Sequence, residues 1–549
     1  EFDIKQVSLQ NTKIKYHQTK PFPPSEESTE ESLMPIITLN ELILSNVSAD
    51  YISKPDSQEA QVQIGNLLVE LPEADLQSQT IILENIALEN SSILYHDFSI
   101  PLASDTTNST PSEPFTWPDW IVEADKISIA SSDIEYKSED ISVRKGYFNP
   151  EAIVISDLTF DAESVFLKDE KVGADLHGFH FSEASGFELK EFQFDLKASN
   201  TSASLENLLL ATNRSKLNAG LLLKYPSIQE IIENPEAINF DLLVNEAILE
   251  VKDSYYFAPE LAQDTLIQEL ALAPFALELQ ATGDLGRMEI PRLAIHWGES
   301  DFSANGSANQ VMDVDQLTFD FPKMNLQTTR ATLLKFVNEE DYGIKFPEDI
   351  NLQANAKGKI DDLLAQLDLQ TDMGNILLDG GFQNDGQIAF DAILKVEQLQ
   401  LGNLMKQPEL DTLTFEIKAK GSGASLNELN AELTSTFERL KLYGSDYSGL
   451  NLEGKIVDGN GNLSAGLDSE FLDFDLLTNF ELDSTNSTVA LNLDLKGADF
   501  YELGLSEQPS RARLQLVANF QGNFDEFTLT SKVQDAVLIY DGRNYPVGT

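Results

Sequence analysis

A pattern of seven residues with fixed internal spacing occurs five times within the first 167 residues of the chain. In the first three copies the fifth position is Asn and the other six are apolar or aromatic. The copies are Phe2, Ile4, Val7, Leu9, Asn11, Ile14 and Tyr16; Ile37, Leu39, Leu42, Leu44, Asn46, Ala49 and Tyr51; Ile81, Leu83, Ile86, Leu88, Asn90, Ile93 and Tyr95; Val122, Ala124, Ile127, Ile129, Ser131, Ile134 and Tyr136; and Ile153, Ile155, Leu158, Phe160, Ala162, Val165 and Leu167. A unit repeated at roughly 30–45 residues is typical of an array in which each unit buries its apolar face against its neighbours.

Within each copy the apolar residues mostly step by two, which is the period of a β-strand with one apolar and one polar face. The step from the second to the third position is three, so we expect a bulge or kink at the polar pair between them, such as Lys5 and Gln6. The Asn that follows tolerates the left-handed backbone of a tight turn, and each copy is therefore predicted to be a kinked hairpin. The tyrosines that end four copies are expected to stack as a ladder that fixes the strand register.

The chain carries 37 Lys and Arg against 91 Asp and Glu, a formal net charge of −54. Clustered basic residues bind nucleic-acid phosphates and anionic lipid headgroups, so nucleic acid is excluded as a partner and broad adhesion to an anionic membrane is disfavoured. The acids are expected to line solvated strand faces and to keep sheet edges unpaired. The chain has no cysteine, which excludes disulfides, thiolate metal sites and thiol catalysis.

The length of 549 residues exceeds the roughly 250–300 residues at which a single core stops growing, and the repeats favour one elongated repeat body. Two segments rich in Pro, Ser and acids, 21–32 and 104–118, are predicted to be loops between repeats. Short helices are predicted at 226–234, 258–272 and 328–337, where they would plug the end of a sheet or cover its edge. No stretch approaches the ~18 apolar residues of a membrane span.

From about residue 275 onward, several runs of alternating apolar and polar residues are each followed by a glycine. These glycines are Gly283, Gly358, Gly421 and Gly522. Glycine in such a place suits a turn or bulge that needs positive φ. Alternating runs such as 489–495 flank these marks, so both halves of the chain are predicted to be antiparallel sheet with one wet face.

Catalytic and metal-binding constellations are hard to find in this sequence. His177 and His180 are close in sequence, but residues three apart on a strand point to opposite faces and make a poor chelate. The segment 458–462 lacks the carboxylates of a calcium loop and is predicted to be a hairpin turn. The segment 283–286 lacks the Lys and the Ser or Thr of a phosphate loop. We therefore predict that the chain is not an enzyme, with no catalytic residue, no metal site and no cofactor.

Three stretches resemble the AsmA/TamB superfamily of cell-envelope proteins, most of all its TamB-type members. They are 81–97, with the sequence IILENIALENSSILYHD; 179–190 with 208–217; and 350–404, which includes LLDGG at 377–381, with 449–454. The likeness spans nearly the whole chain and consists of alternating runs marked by Gly and Asn. The family's inner-membrane helix and C-terminal domain have no counterpart here, and there is no initiating Met, so the chain is expected to be a segment of a longer protein.

The resemblance implies a mainly β fold, an elongated, curled antiparallel sheet called a β-taco, whose apolar groove carries phospholipids between the inner and outer membranes. The predicted organisation is hairpin repeats at 1–170, a groove with short helical insertions at 171–275, and Gly-marked repeats at 276–549 that continue beyond the chain. The implied location is the periplasm of a Gram-negative envelope, with an inner-membrane anchor in the full-length protein. The implied partners are phospholipid acyl chains and an outer-membrane barrel of the BamA/TamA type, bound through a region outside this segment.

A sheet with one apolar face and few helices to cover it must curl on itself or bind something apolar, because large bare apolar patches are not left in water. The second apolar pair of each repeat and later inward-facing runs are predicted to line the groove. The alternative is that these residues form an ordinary core, closed by the sheet itself. The predicted lining residues are Leu42, Leu44, Ile86, Leu88, Ile127, Ile129, Leu158, Phe160, Phe192, Phe194, Phe415, Ile417, Leu491 and Leu493.

Three classes of function are compatible with this pattern. The first is a passive lipid conduit, and the second is a scaffold or chaperone for outer-membrane protein assembly or secretion that presents a sheet edge to incoming strands. The third is an enzyme such as a β-helical polysaccharide lyase, which would need Lys, Arg and His gathered in one cleft, whereas the basic residues here are dispersed. The conduit is favoured, and it requires an apolar face that is continuous and open.

Overall fold

The computed structural model describes residues 2–21, 37–75, 78–98, 115–139, 141–483, 486–523 and 526–546. The chain divides into two compact units, Glu1–Gly298 and Glu299–Thr549. Strands make up 67% of the chain and helices 8%, so the predicted mainly β class is confirmed. The predicted domain boundaries near 170 and 275 stay predictions.

The described part of the first unit contains nineteen strands and three short α-helices. Strands β1 to β19 are Phe2–Ile4, Val7–Gln10, Lys13–Gln18, Ile37–Leu39, Glu41–Ser53, Gln58–Glu70, Glu73–Asp75, Thr80–Glu89, Ser92–Asp97, Ile121–Ser138, Ala152–Lys168, Lys171–Glu183, Glu188–Leu189, Glu191–Ser199, Ser202–Ala211, Lys216–Lys224, Asn239–Leu249, Phe275–Gly283 and Arg287–Trp297. Helices α1 to α3 are Ile228–Glu233, Val251–Ser254 and Thr265–Leu270, with 3-10 turns at Pro235–Ala237 and Pro259–Gln263.

The described part of the second unit contains sixteen strands and three short α-helices. Strands β20 to β35 are Ser300–Asn309, Thr318–Thr329, Asp349–Lys359, Asp362–Thr371, Gly374–Asn384, Ile388–Gln400, Leu410–Gly423, Asn430–Leu442, Ser445–Asp446, Asn451–Val457, Asn460–Asp468, Leu472–Glu481, Ser487–Asp499, Ser510–Gly522, Phe527–Tyr540 and Arg543–Pro546. Helices α4 to α6 are Arg330–Leu333, Glu339–Tyr342 and Leu401–Leu404, with a 3-10 turn at Leu426–Glu428.

The sequence repeats of the first unit form strands, and two pairs of copies lie side by side with their equivalent residues opposite each other. The first copy, in β1 to β3, lies parallel to the second, in β4 and β5, and equivalent positions are opposite each other. The third copy, in β8 and β9, lies parallel to the fourth, in β10, in the same way. The sheet is therefore mixed in this region, and the prediction of a wholly antiparallel sheet is wrong there. The segments predicted as loops, 21–32 and 104–118, lie outside the described residues except for residue 21 and residues 115–118.

The prediction that each repeat is a kinked hairpin is wrong, although its Asn has the expected backbone. Asn11, Asn46 and Asn90 have φ of 48°, 53° and 50°. One left-handed residue inserts a bulge and leaves the chain direction unchanged, whereas a tight hairpin needs two turn residues with special backbone angles. The chain therefore keeps its direction past each Asn, and β2 and β3 both pair with β5. The kink expected before the third position is confirmed in the first two copies, where the strands are interrupted at residues 5–6 and at residue 40.

Stacking of the repeat tyrosines is confirmed as two separate pairs. The rings of Tyr16 and Tyr51 lie 5.5 Å apart and nearly parallel, and those of Tyr95 and Tyr136 lie 6.0 Å apart. Ala60 of β6 lies between the pairs, opposite both Tyr51 and Tyr95. Burial, more than the neighbouring Asp97, raises the pKa of Tyr95. The stacked rings hold the parallel copies in register at their C-terminal ends.

From β10 onward, each strand of the first unit pairs antiparallel with the strand that follows it in the sheet. In the second unit, β20 to β34 form an antiparallel meander. Within this meander β29 pairs directly with β27. Three of the four marking glycines, Gly283, Gly358 and Gly522, have positive φ at the hairpins that follow, as predicted. A Cβ on Gly358 would lie 2.0 Å from the Asp362 carbonyl oxygen. Gly421 differs, because it lies within β26 with its missing side chain facing Phe390 and Ala431.

The three predicted helical regions are helical but shorter than predicted. Region 226–234 contains α1, region 258–272 contains a 3-10 turn and α3, and region 328–337 contains α4. In the second unit α4, α5 and α6 follow β21 and β25, which run in the same direction, so these helices lie at one end of the strands. Among the described residues no helix has the length and apolar character needed to cross a bilayer.

Candidate functional site: an apolar face of the sheet

Cross-strand pairing joins the repeat residues of the first unit into a continuous row, which we name the first apolar row. Each member is directly opposite an apolar residue of the next strand, and side chains that are directly opposite share a face. Strand β6, which lies outside the repeats, links the second copy to the third. The members, from β2 to β12, are Val7 and Leu9, Leu42 and Leu44, Val69 and Leu67, Ile86 and Leu88, Ile127 and Ile129, Ala162 and Phe160, and Leu176 and Phe179.

A comparable row crosses the second unit, and we name it the second apolar row. Its members, from β21 to β33, are Met324, Ala354, Leu367, Leu378, Leu394, Ile417, Ser435, Leu452, Ala465, Leu476, Leu493 and Leu516. A parallel line of apolar residues accompanies it two residues along the strands, and Val396, Phe415 and Phe437 belong to that line. The rings of Phe415 and Phe437 lie 5.5 Å apart.

Most of the predicted lining residues belong to these rows or lie next to them. Phe194 is opposite Leu176, which extends the first row to β14, and Phe192 is in ring contact with Phe194 at 5.2 Å. Leu491 lies beside the second row, opposite Thr478 and Ala518. Leu158 differs because it is opposite Ser132 and is only 6% exposed, as in an ordinary core.

Most members of the two rows are half-buried, and Ala162, Leu176, Ser435 and Ala465 are buried. All the predicted lining residues except Leu158 are half-buried, and the largest fully buried side chain in the described part of the chain is that of Ser53. The core cluster of the first unit has only Ala219, Val244 and Ala247 as buried members. The α-helices have four to six residues each and cannot cover a sheet of this size. The rows are thus long apolar surfaces of the kind that mark a binding site.

The opposite face of the sheet carries ion pairs between neighbouring strands, together with exposed apolar side chains such as Leu364, Ile393 and Leu477. Lys126 Nζ lies 3.2 Å from Glu163, and Lys395 Nζ lies 3.0 Å from Glu416. Hydrogen bonds from Lys418 and Lys395 lower the pKa of Glu416. These pairs are largely solvated and add little stability. Their effect is to make this face more polar than the face that carries the rows.

Aromatic rings extend the first apolar row toward the ends of β11 and β12. Phe160 contacts Phe179 at 5.9 Å, Phe179 contacts Phe181 at 5.4 Å, and Phe181 contacts Phe187 at 6.2 Å. Phe187 is 8% exposed and contacts Phe257, which follows α2, at 5.3 Å. This chain of rings connects the row to the helical segment at the strand ends.

One depression beside the strands of the second unit is bordered by the protein's own ion pairs. This depression of about 670 Å³ is lined in part by Asp391, Lys420, Glu432 and Lys455. Lys420 Nζ is 2.8 Å from Asp391, and Lys455 Nζ is 2.6 Å from Glu432. Since these charges satisfy one another, the apolar rows are the better candidate for ligand binding. Among the described residues no three His, Asp or Glu side chains are arranged to hold a metal ion.

Sequence reasoning missed two parts of this surface. Leu67 and Val69 of β6 complete the first row, and their signal was an alternating run that does not repeat elsewhere. Most of the second row was also missed, because its Leu and Ala residues occur in many alternating runs and only pairing shows which of them meet. No protein-family model, no curated protein and no solved structure matches the chain.

Proposed function

We propose that this chain is a lipid-transfer protein of the AsmA/TamB type, which carries phospholipid acyl chains along its apolar rows. One observation supports the proposal above all others: in each unit, apolar residues are opposite one another from strand to strand, and most of their side chains keep part of their surface accessible. An acyl chain has the shape and chemistry to cover such a surface.

The energetics of acyl burial fit a carrier. Each methylene removed from water contributes ~0.8 kcal/mol, so ten covered methylenes give roughly 8 kcal/mol. Neighbouring strands are about 4.8 Å apart, and a chain lying across them meets a similar apolar residue at each step. A repeated site with nearly equal steps lets a ligand move without a deep trap, and no reaction is required.

The more polar face and the net charge of −54 suit a protein that holds lipid tails without adhering to anionic headgroups. In this proposal the protein works in the periplasm of a Gram-negative cell. An inner-membrane anchor and a barrel-binding domain would belong to other parts of the full-length protein.

Phospholipid is expected to copurify with the full chain. Organic extraction of protein purified from bacterial cells without detergent should yield at least one phospholipid per chain by mass spectrometry. After delipidation the chain should take up phospholipid again from vesicles. A chain that is lipid-free and takes up none would contradict the proposal, and capture of extended peptides in its place would favour the scaffold function.

A further inference from the structure

The second apolar row contains one polar side chain, Ser435 of β27. It lies opposite Ile417 on one side and Leu452 on the other, so its hydroxyl shares the apolar face. The residue is 4% exposed, and its Oγ has no hydrogen-bond partner. Phe437 lies two residues further along the same strand, and its ring contacts Phe415. Ser435 is thus an unpaired hydroxyl in an otherwise apolar row.

Burying a hydroxyl without a partner is unfavourable, and native proteins rarely leave such a group unpaired without a reason. A serine hydroxyl can donate one hydrogen bond and accept others. The neighbouring row members, Ile417 and Leu452, offer neither donors nor acceptors in their side chains. A ligand that lies on this face can supply the missing partner.

We infer that Ser435 is a binding position for the ester group of an acyl lipid, and this rests on the proposed function. An acyl chain supplies only methylenes to the row, but its ester carbonyl is a hydrogen-bond acceptor at the polar end of the chain. The Ser435 hydroxyl donates to that carbonyl while Ile417, Leu452 and their neighbours contact the methylenes. Because Ile417 and Leu452 are half-buried, the ligand meets them first and reaches Oγ by displacing their side chains.

Ser435 makes the second row bind acyl esters in preference to alkanes. At the other positions of the second row the side chains contact an alkane and an acyl ester equally well, whereas at Ser435 the ester gains a hydrogen bond. A neutral hydrogen bond of this kind changes affinity by about three- to tenfold. Lipid esters should therefore pause at β27 while simple hydrocarbons do not.

The test compares two ligands on the full chain, methyl palmitate and an alkane of matched length, each displacing a bound naphthylamine fluorophore. The wild-type chain should prefer the ester, and Ser435→Ala should weaken ester binding about three- to tenfold and leave alkane binding unchanged. Ser435→Thr keeps the hydroxyl and should keep the preference. Thr436→Ala is the matched control, since Thr436 is the next residue of β27 and is exposed on the opposite face.

Each outcome bears on a separate claim. Ser435→Ala removes only an unpaired hydroxyl, so the variant should be at least as stable as the wild type. If the ester preference is absent from the wild type, or survives in Ser435→Ala, the inference about Ser435 is overturned and the lipid function stands. If the wild type binds neither ligand, the proposed function itself fails.

Discussion

Replacing Ile417 with aspartate is expected to lower phospholipid transfer between donor and acceptor vesicles by at least about tenfold. Ile417 lies in the middle of the second apolar row, between Leu394 and Ser435. Ile417→Asp removes an apolar contact worth about 1.5–3 kcal/mol and places a carboxylate where a methylene must pass. Since ~1.4 kcal/mol corresponds to a factor of ten in rate, and a conduit acts in series, one such barrier slows the whole path.

The matched control for this variant is Thr434→Asp. Thr434 is exposed on β27 and lies between Lys418 and Glu453 on the opposite face, so a carboxylate there is solvated and has one charge of each sign beside it. Transfer by Thr434→Asp should equal that of the wild type. Circular dichroism of both variants would confirm that the strands are retained. Equal transfer by the two variants, whether both active or both inactive, would argue against movement of lipid along the row.

Replacing Glu339 with glutamine is expected to produce the largest loss of stability among single polar substitutions in the second unit. Glu339 of α5 is 7% exposed and accepts hydrogen bonds from Arg330 Nε at 2.7 Å and from the Phe346 backbone N–H at 2.8 Å. Lys406 lies just after α6, and its Nζ is 3.2 Å from Glu339 Oε2. The carboxylate therefore links the β21–β22 connection, which contains α4 and α5, to the β25–β26 connection, which contains α6. Glu339→Gln leaves Arg330 and Lys406 without their main partner.

The effect of Glu339→Gln should depend on pH in a defined direction. The hydrogen bond from Arg330 is the main reason that the pKa of Glu339 is lowered from 4.5 to about 2. Because the folded pKa is below the unfolded one, the stabilisation is fully present above about pH 5 and is lost as the pH falls toward 2. The melting temperature of Glu339→Gln should be roughly 5 °C or more below that of the wild type at pH 7, and the gap should shrink steadily in acid.

The control for this measurement is Glu340→Gln, at the next residue of α5, which is exposed. Its melting temperature should match that of the wild type across the same pH range. A gap for Glu339→Gln that is absent at pH 7, or that stays constant down to pH 2.5, would contradict the account of this ion-pair network.

The strands of this protein are predictable from its sequence because a period of two and a repeated spacing are local signals. Val7 and Leu42 occupy the same repeat position, and the structure places them opposite each other. Their parallel pairing could not be predicted, since it depends on how the chain returns between copies and not on either copy alone. The hairpins were wrong for a related reason: Asn46 has the backbone of a turn residue, but the pairing of both its flanks with β6 keeps the strand straight.

The candidate site shows the same division between local and long-range information. Alternation identifies Ile417 as a residue of an apolar face, but only pairing shows that Leu394 and Ser435 flank it. Likewise, nothing in the sequence around Glu339 indicates Lys406 as a partner, because that contact forms only when two connections meet at the strand ends. Local periodicity specifies which residues can share a face, and long-range pairing decides which of them form one surface.

Photocrosslinking in cells tests the central claim most directly. A photoreactive residue is placed at Leu44 or Ile129 of the first row or at Phe415 beside the second row. The controls carry it at the outward-facing positions Glu41, Lys126 or Glu416, and adducts are identified by mass spectrometry. The conduit predicts phospholipid adducts at the three inward positions and none at the three outward ones. Protein adducts at the inward positions, or lipid adducts on both faces alike, would contradict it.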